Sequence, residues 1–165
     1  MFSRTSIKKM LKILISTICL AFASCETKTA YHYYQSIPSN GWEQTDTLIF
    51  HFPTSLVSHD YMLCFGIRHL QNYLYKDIWL AMSTPSMQHP DTIHLYLANQ
   101  QGLWKGRGTS GGIYQYASDS IPISLLKSDS TLRIWHIMQD TSLHNISDIG
   151  IRLMLAGTIY TKKDK

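Results

Sequence analysis

The strongest constraint on this chain is a two-residue hydrophobic period that recurs at short intervals. Thr131–Met138 sets Leu132, Ile134, His136 and Met138 against Arg133, Trp135 and Ile137, and Ile149–Leu155 sets Ile149, Ile151, Leu153 and Leu155 against Gly150, Arg152 and Met154. In an extended chain successive side chains point to opposite faces, so this alternation is the signature of half-buried strands. Tyr61–Leu70 repeats it with Leu63, Phe65 and Ile67, and Thr92–Ala98 with Ile93, Leu95 and Leu97 facing away from His94 and Tyr96. Thr47–Phe52, stopped by Pro53, and Ile78–Met82, entered through Tyr73-Leu74-Tyr75, read the same way. Gly111–Tyr116 and Ile121–Leu126 are weaker strands, the second interrupted by Pro122. No helix longer than two turns can be placed beyond the leader, and no internal repeat is present. The expected fold is all-β: a single β-sandwich of jelly-roll type with about eight strands.

The N-terminus carries a different message. Arg4, Lys8, Lys9 and Lys12 precede an apolar run from Ile13 to Phe22, then Ala23, Ser24 and Cys25. Charge, apolar core and small residues make an export signal, and the run is short of the roughly 20 residues a spanning helix needs. A cysteine directly after the cleavage site reads as a bacterial lipobox, although Phe22 stands where leucine is usual. Residues 1–24 are therefore expected to be a lipoprotein signal peptide, with Cys25 the lipidated first residue of the mature chain. Residues 25–40 are polar and end in a Pro-Ser-Asn-Gly turn signal, and read as a tether to a domain spanning 41–165. The alternative is that Tyr31, Tyr33 and Tyr34 pack on the domain as its first edge strand. The chain is expected in the cell envelope, at the outer membrane, with the membrane face open.

Subtracting the leader changes the electrostatics. The chain has 15 Lys and Arg against 11 Asp and Glu, and four of those basic residues but none of the acids lie in the leader. The remainder is balanced, so the basic pI gives no argument for a nucleic-acid partner. Cys19 leaves with the leader and Cys25 takes lipid, so Cys64 stands alone. That excludes an intrachain disulfide and a cysteine zinc site, and its apolar neighbours Leu63 and Phe65 mark it as a buried thiol.

Two enzyme-like patterns share one loop. Gly106–Gly111 matches G-x-G-x-x-G, and Gly108–Gly112 matches G-x-S-x-G with Ser110 at its centre. Both need a following helix, and Gly112-Ile113-Tyr114-Gln115-Tyr116 reads as strand, so the loop is expected to join strands. Eight histidines fall at scattered positions without metal-motif spacing; His94 and His136 are the pair that could meet. No catalytic residues, no metal and no cofactor beyond the lipid on Cys25 are expected. Arg68 and Arg152 share strand faces with apolar residues and are candidates for pairing with Asp77 or Asp148, or for lining a groove. Asp46-Thr47-Leu48, Asp91-Thr92-Ile93 and Asp119-Ser120-Ile121 have the form of a short bacterial O-glycosylation motif.

The aromatics are the main functional candidates, because exposed rings anchor protein interfaces and stack on sugars. Trp104 and Arg107 flank a glycine turn, and with Trp42, Tyr33 and Tyr34 they form the candidate partner or glycan surface. Trp79 and Trp135 are expected in the core.

Several segments, in order, resemble the gliding motility lipoproteins of the GldH type. They are a tyrosine-rich start leading to Trp42, Ile67-Arg68-His69 followed by Tyr73-Leu74-Tyr75 and Ile78-Trp79-Leu80, Asp91-Thr92-Ile93 leading to Leu97-Ala98, Gly102-Leu103-Trp104-Lys105-Gly106-Arg107-Gly108, and Leu143–Arg152 after Met138. Leu74 replaces a usual proline, and Gln139-Asp140 replace a usual arginine region. The resemblance implies a non-enzymatic, lipid-anchored envelope protein that serves gliding motility and the associated protein secretion alongside other envelope proteins. A glycan-binding sandwich lipoprotein is the alternative.

Overall fold

The computed structural model describes residues 29–156; the leader 1–24 and Cys25 lie outside the described residues. The chain forms β1 (Thr29–Ser36), β2 (Trp42–Glu43), β3 (Leu48–His51), β4 (His59–Leu70), β5 (Asp77–Ser83), β6 (Asp91–Tyr96), β7 (Arg107–Gly108), β8 (Ile113–Ala117), β9 (Ile121–Leu125), β10 (Thr131–His136), β11 (Ser142–Leu143) and β12 (Ile146–Leu155). All pairings are antiparallel. One sheet runs β1-β12-β4-β8-β7, with β9 also on β4, and the second runs β3-β10-β5-β6. β2 and β11 make a two-residue ladder. The architecture is the expected sandwich, and each of the eight expected strands is present.

Three strands were not expected, and a fourth, β1, is the edge strand that the alternative reading placed at Tyr31–Tyr34. β2, β7 and β11 are two residues long and have no period to read. β1 corrects the tether boundary, because Thr29–Ser36 pairs with β12 from Thr29 opposite Met154 to Ser36 opposite Asp148. Its side chains also close one side of the sandwich. Tyr31 meets Phe52 edge-on at 5.2 Å and Tyr33 meets Phe50 at 6.4 Å, while Gln35 Nε2 donates to the Ile49 carbonyl at 2.6 Å. An edge strand buries only part of one face, so its residues stay polar and carry no clean period.

The core lies between the inner faces. Leu63, Phe65 and Ile67 of β4 and Ile149, Ile151 and Leu153 of β12 pack in one cluster with Ile78, Leu80, Leu132 and Ile134 of the second sheet. Cys64 lies on the opposite face of β4, buried as expected, with its Sγ 3.1 Å from Ser120 Oγ. At the end where β9 turns into β10, the buried carboxylate of Asp129 accepts from Ser86 N, Ser86 Oγ and Leu126 N at 2.7–2.8 Å. Burial raises its pKa, but these donors outweigh burial and hold it below the usual value.

The outer face of the first sheet contains a trough. Gly66 and Gly150 are opposite one another on β4 and β12, and Tyr34 of β1 stands beside Gly150. The Tyr34 phenol lies across both glycines, and a Cβ at Gly150 would come 2.5 Å from its Cε1. Arg68 covers the ring at 4.1 Å and also reaches Asp148 at 4.0 Å. The mid-strand glycines thus trade their side chains for an aromatic lid from the edge strand.

Two histidines are fully buried. His136 Nε2 donates to the Trp42 carbonyl at 2.9 Å, and His69 Nδ1 donates to the Leu70 carbonyl at 3.0 Å. In each ring the other nitrogen is buried without a partner, so an imidazolium would have an unpaired N–H. Burial pushes both pKa values below the ordinary 6.5, against the opposing pull of those carbonyls.

Two outcomes follow from this packing. Gly66→Ala should expel the Tyr34 ring and cost about 1–3 kcal/mol in a denaturant melt; with Tyr34→Ala also present the glycine penalty should shrink, and strict additivity would contradict the lid. The unfolded chain protonates His69 and His136 near pH 6.5 while the folded chain resists. Stability should therefore be flat above about pH 7 and fall below about pH 6.5, by up to ~1.4 kcal/mol per pH unit per histidine. Melts from pH 7.5 to 5 measure the slope, which His136→Gln should reduce.

Candidate interaction surface

The expected surface residues do not form one surface. Trp42 is a correction: it is fully buried, its Nε1 donates to the Asp46 carbonyl at 3.0 Å, and its ring packs edge-on against His136 at 5.2 Å. A tryptophan beside a turn is buried here because the β2–β11 ladder folds over the open end of the core. Tyr33 is 54% exposed, whereas Tyr34 is taken up by the glycine trough on the other face of β1. Both lie on the edge of the first sheet opposite to β7, which carries Arg107.

Trp104 is half-buried. Its ring lies 4.5 Å from His69 and near Tyr73 and Tyr114, with His69 stacked on Tyr114. This is a closed aromatic cluster aimed inward and held by an Ala98–Trp104 bridge. Arg107 alone of that pair is exposed, opposite Gln115. The glycine loop joins β7 to β8 through a turn in which Thr109 N donates to Ile113 O, and no helix follows it. Gly106 is required by space as well as by its φ of +88°, because a Cβ there would run into the Gln115 carbonyl. The loop therefore has neither the helix N-terminus of a phosphate site nor the frame of a nucleophile elbow.

The candidate pairings also resolve. Arg68 reaches Asp148, one of the two acids considered, and Arg152 lies 4.0 Å from Cys64 Sγ. Asp77 instead pairs with His94 at 2.6 Å. His94 and His136 face opposite sides of the second sheet and do not meet. Among the described residues no group of three potential metal ligands converges.

What the sequence reading placed wrongly is the outer face of the second sheet. Trp79 is 39% exposed there, stacked on His94 with ring centroids 3.8 Å apart and planes 14° apart. Tyr96 lies 4.2 Å beyond His94 and is 55% exposed. Trp135 is on the same face, opposite Ala81. The signal was available: Ile78, Leu80 and Met82 take the inner face of β5, and that places Trp79 outside. A preference for burying tryptophan overrode the period. Asp77, Trp79, His94 and Tyr96 form a two-by-two block across β5 and β6, and Ile49 and Ile137 add exposed apolar area to this face.

This face leads to the end of the sandwich where Leu74 and Leu103 are exposed at 80% and 66%. Lys76, Asp77, Tyr96, Asn99, Gln100 and Lys105 line an open groove of about 660 Å³, within the range of small-molecule sites. The residues present can stack, hydrogen-bond and attract negative charge.

The comparisons with known proteins agree with the resemblance read from the sequence. Searches among curated proteins and among solved structures give no match. The family model described as GldH lipoprotein matches residues 29–153, which is the sandwich from the start of β1 to within two residues of the end of β12. A match over that span, coinciding with the folded unit, shows that the chain belongs to the GldH lipoprotein family.

Proposed function

We propose that this chain is a non-enzymatic accessory lipoprotein of the gliding motility and protein secretion apparatus, anchored at the outer membrane through lipid on Cys25. The observation that carries the reading is the family match over 29–153, joined to the lipobox form of Ala23-Ser24-Cys25. The activity is to hold a rigid sandwich at the membrane for other envelope proteins. The aromatic rings, which pack as a core cluster or lie exposed on a sheet face, suit packing and contact; no nucleophile with an adjacent base is part of the reading.

The short leader-to-domain spacing adds an orientation. Four Cα steps separate Cys25 from Thr29, a reach of at most about 14 Å in any conformation. The end nearest Thr29 carries Met154 and Tyr61 together with the exposed Leu126 and Leu155, and would lie against the bilayer. The opposite end, with Leu74, Leu103 and the glycine hairpin, would stand about 40 Å away, the length of the twelve-residue β4. Partners of the apparatus would meet that far end and the aromatic sheet face.

Deleting the chain in its host should abolish secretion by the apparatus, and colony spreading where the host glides. Wild-type chain should restore both, and Cys25→Ala should restore neither while failing to incorporate labelled palmitate. Normal secretion without the chain would end the accessory reading, and palmitate incorporation by Cys25→Ala would end the anchor.

A further inference from the structure

We infer that the groove between Lys76, Tyr96 and Lys105 is a binding site for an acidic saccharide. This goes beyond the accessory role and does not rest on it, since the groove would bind sugar whether or not the chain serves secretion.

The floor is aromatic and fixed. Tyr96 is 55% exposed, and beside it His94 is stacked on Trp79, tilted 49° against Tyr96 and tied to Asp77 at 2.6 Å. A ring packed against such a neighbour loses little freedom when a ligand covers it. The apolar C–H face of a pyranose is a flat surface of matching size, and exposed aromatics take such faces.

The walls are polar, and their backbone is set. Leu97 N and Ala98 N both donate to the Lys76 carbonyl, at 2.8 and 2.9 Å, and Lys105 N donates to the Leu97 carbonyl at 2.7 Å. Asn99 Oδ1 accepts from Leu103 N at 2.9 Å, which leaves the Asn99 amide N–H₂ and the Gln100 amide for hydroxyl groups. These contacts bring both lysines to the groove beside the tyrosine, with Lys105 Nζ over its ring, 5.8 Å from the centroid. The charge selects the class of sugar. Asp77, the acid lining the groove, already faces His94, so two ammonium groups are left for a ligand carboxylate or sulfate. A neutral sugar would leave that charge unused, whereas an acidic one would add charge-assisted hydrogen bonds to the stacking. The outer face of the first sheet offers no such floor, because its tyrosine lies in the glycine trough under Arg68.

The test is calorimetric titration of the purified full-length chain, in a neutral detergent, with oligogalacturonate and with its methyl ester. Saturable binding of the acid form is expected, weakened by added salt and absent or about tenfold weaker for the ester. Tyr96→Ala and Lys105→Gln should each weaken binding about tenfold, while Tyr33→Ala, an exposed tyrosine elsewhere, should leave it unchanged. Lys105→Gln removes only an exposed charge, so it remains informative if Tyr96→Ala destabilises the sheet. Absence of saturable binding, equal binding of the ester, or wild-type binding by Lys105→Gln would overturn the assignment. So would equally tight binding of an acidic hexapeptide at the same groove, which would give the surface to a protein partner.

Discussion

The structure depends on the antiparallel ladder between β4 and β12. It runs from Tyr61 opposite Leu155 to His69 opposite Ile146, and it carries the central apolar row of the first sheet. Leu63, Phe65 and Ile67 face the core from one strand and Ile149, Ile151 and Leu153 from the other, all buried. Side chains of this kind typically contribute about 2–5 kcal/mol each when truncated to alanine. The rest of the first sheet builds on this pair: β1 on the free side of β12, β9 and β8 on successive halves of β4, and β7 on β8. A one-residue slip in the ladder would turn the apolar row to solvent and bring Arg68 and Arg152 into the core, so its register is strongly specified.

With the inner faces committed, the two outer faces are free to differ, and they do. On the first sheet two glycines and two arginines surround a tyrosine delivered by the edge strand, so its one large ring is already covered. On the second sheet Trp79, His94, Tyr96 and Trp135 remain half-buried or exposed on strands rigidly held from beneath. Cross-strand aromatic pairs stabilise a sheet by a few tenths to about 1 kcal/mol, which accounts for the stacking of Trp79 on His94. Tyr96, 55% exposed beside Lys76 and Lys105, is the ring of this face that such pairing leaves least covered.

The fold class was legible because burial on one face of a strand writes a period of two into the sequence. β10 and β12 were readable almost residue by residue, and so were the faces of β6. Trp79 was misplaced where a residue-type preference was allowed to override that period. β1 was ambiguous for a physical reason: its partners, β12 and the edge of β3, lie more than a hundred and about fifteen residues away respectively, and nothing in Thr29–Ser36 itself announces them. Trp42 failed similarly, since a tryptophan next to a turn looks exposed until a remote two-residue strand, Ser142–Leu143, closes over it.

The sequence by itself determined the all-β class and the family, because the first is written in a local period and the second in ordered segments. The tertiary structure alone decided which aromatics are available. Exposure depends on what covers a side chain from elsewhere in the chain: Tyr34 lies in a trough made by two glycines of distant strands, Trp104 turns inward onto His69, and Tyr96 is left open beside two lysines from different loops. The candidate site is therefore a product of strand pairing between segments far apart in sequence, and no single stretch encodes it.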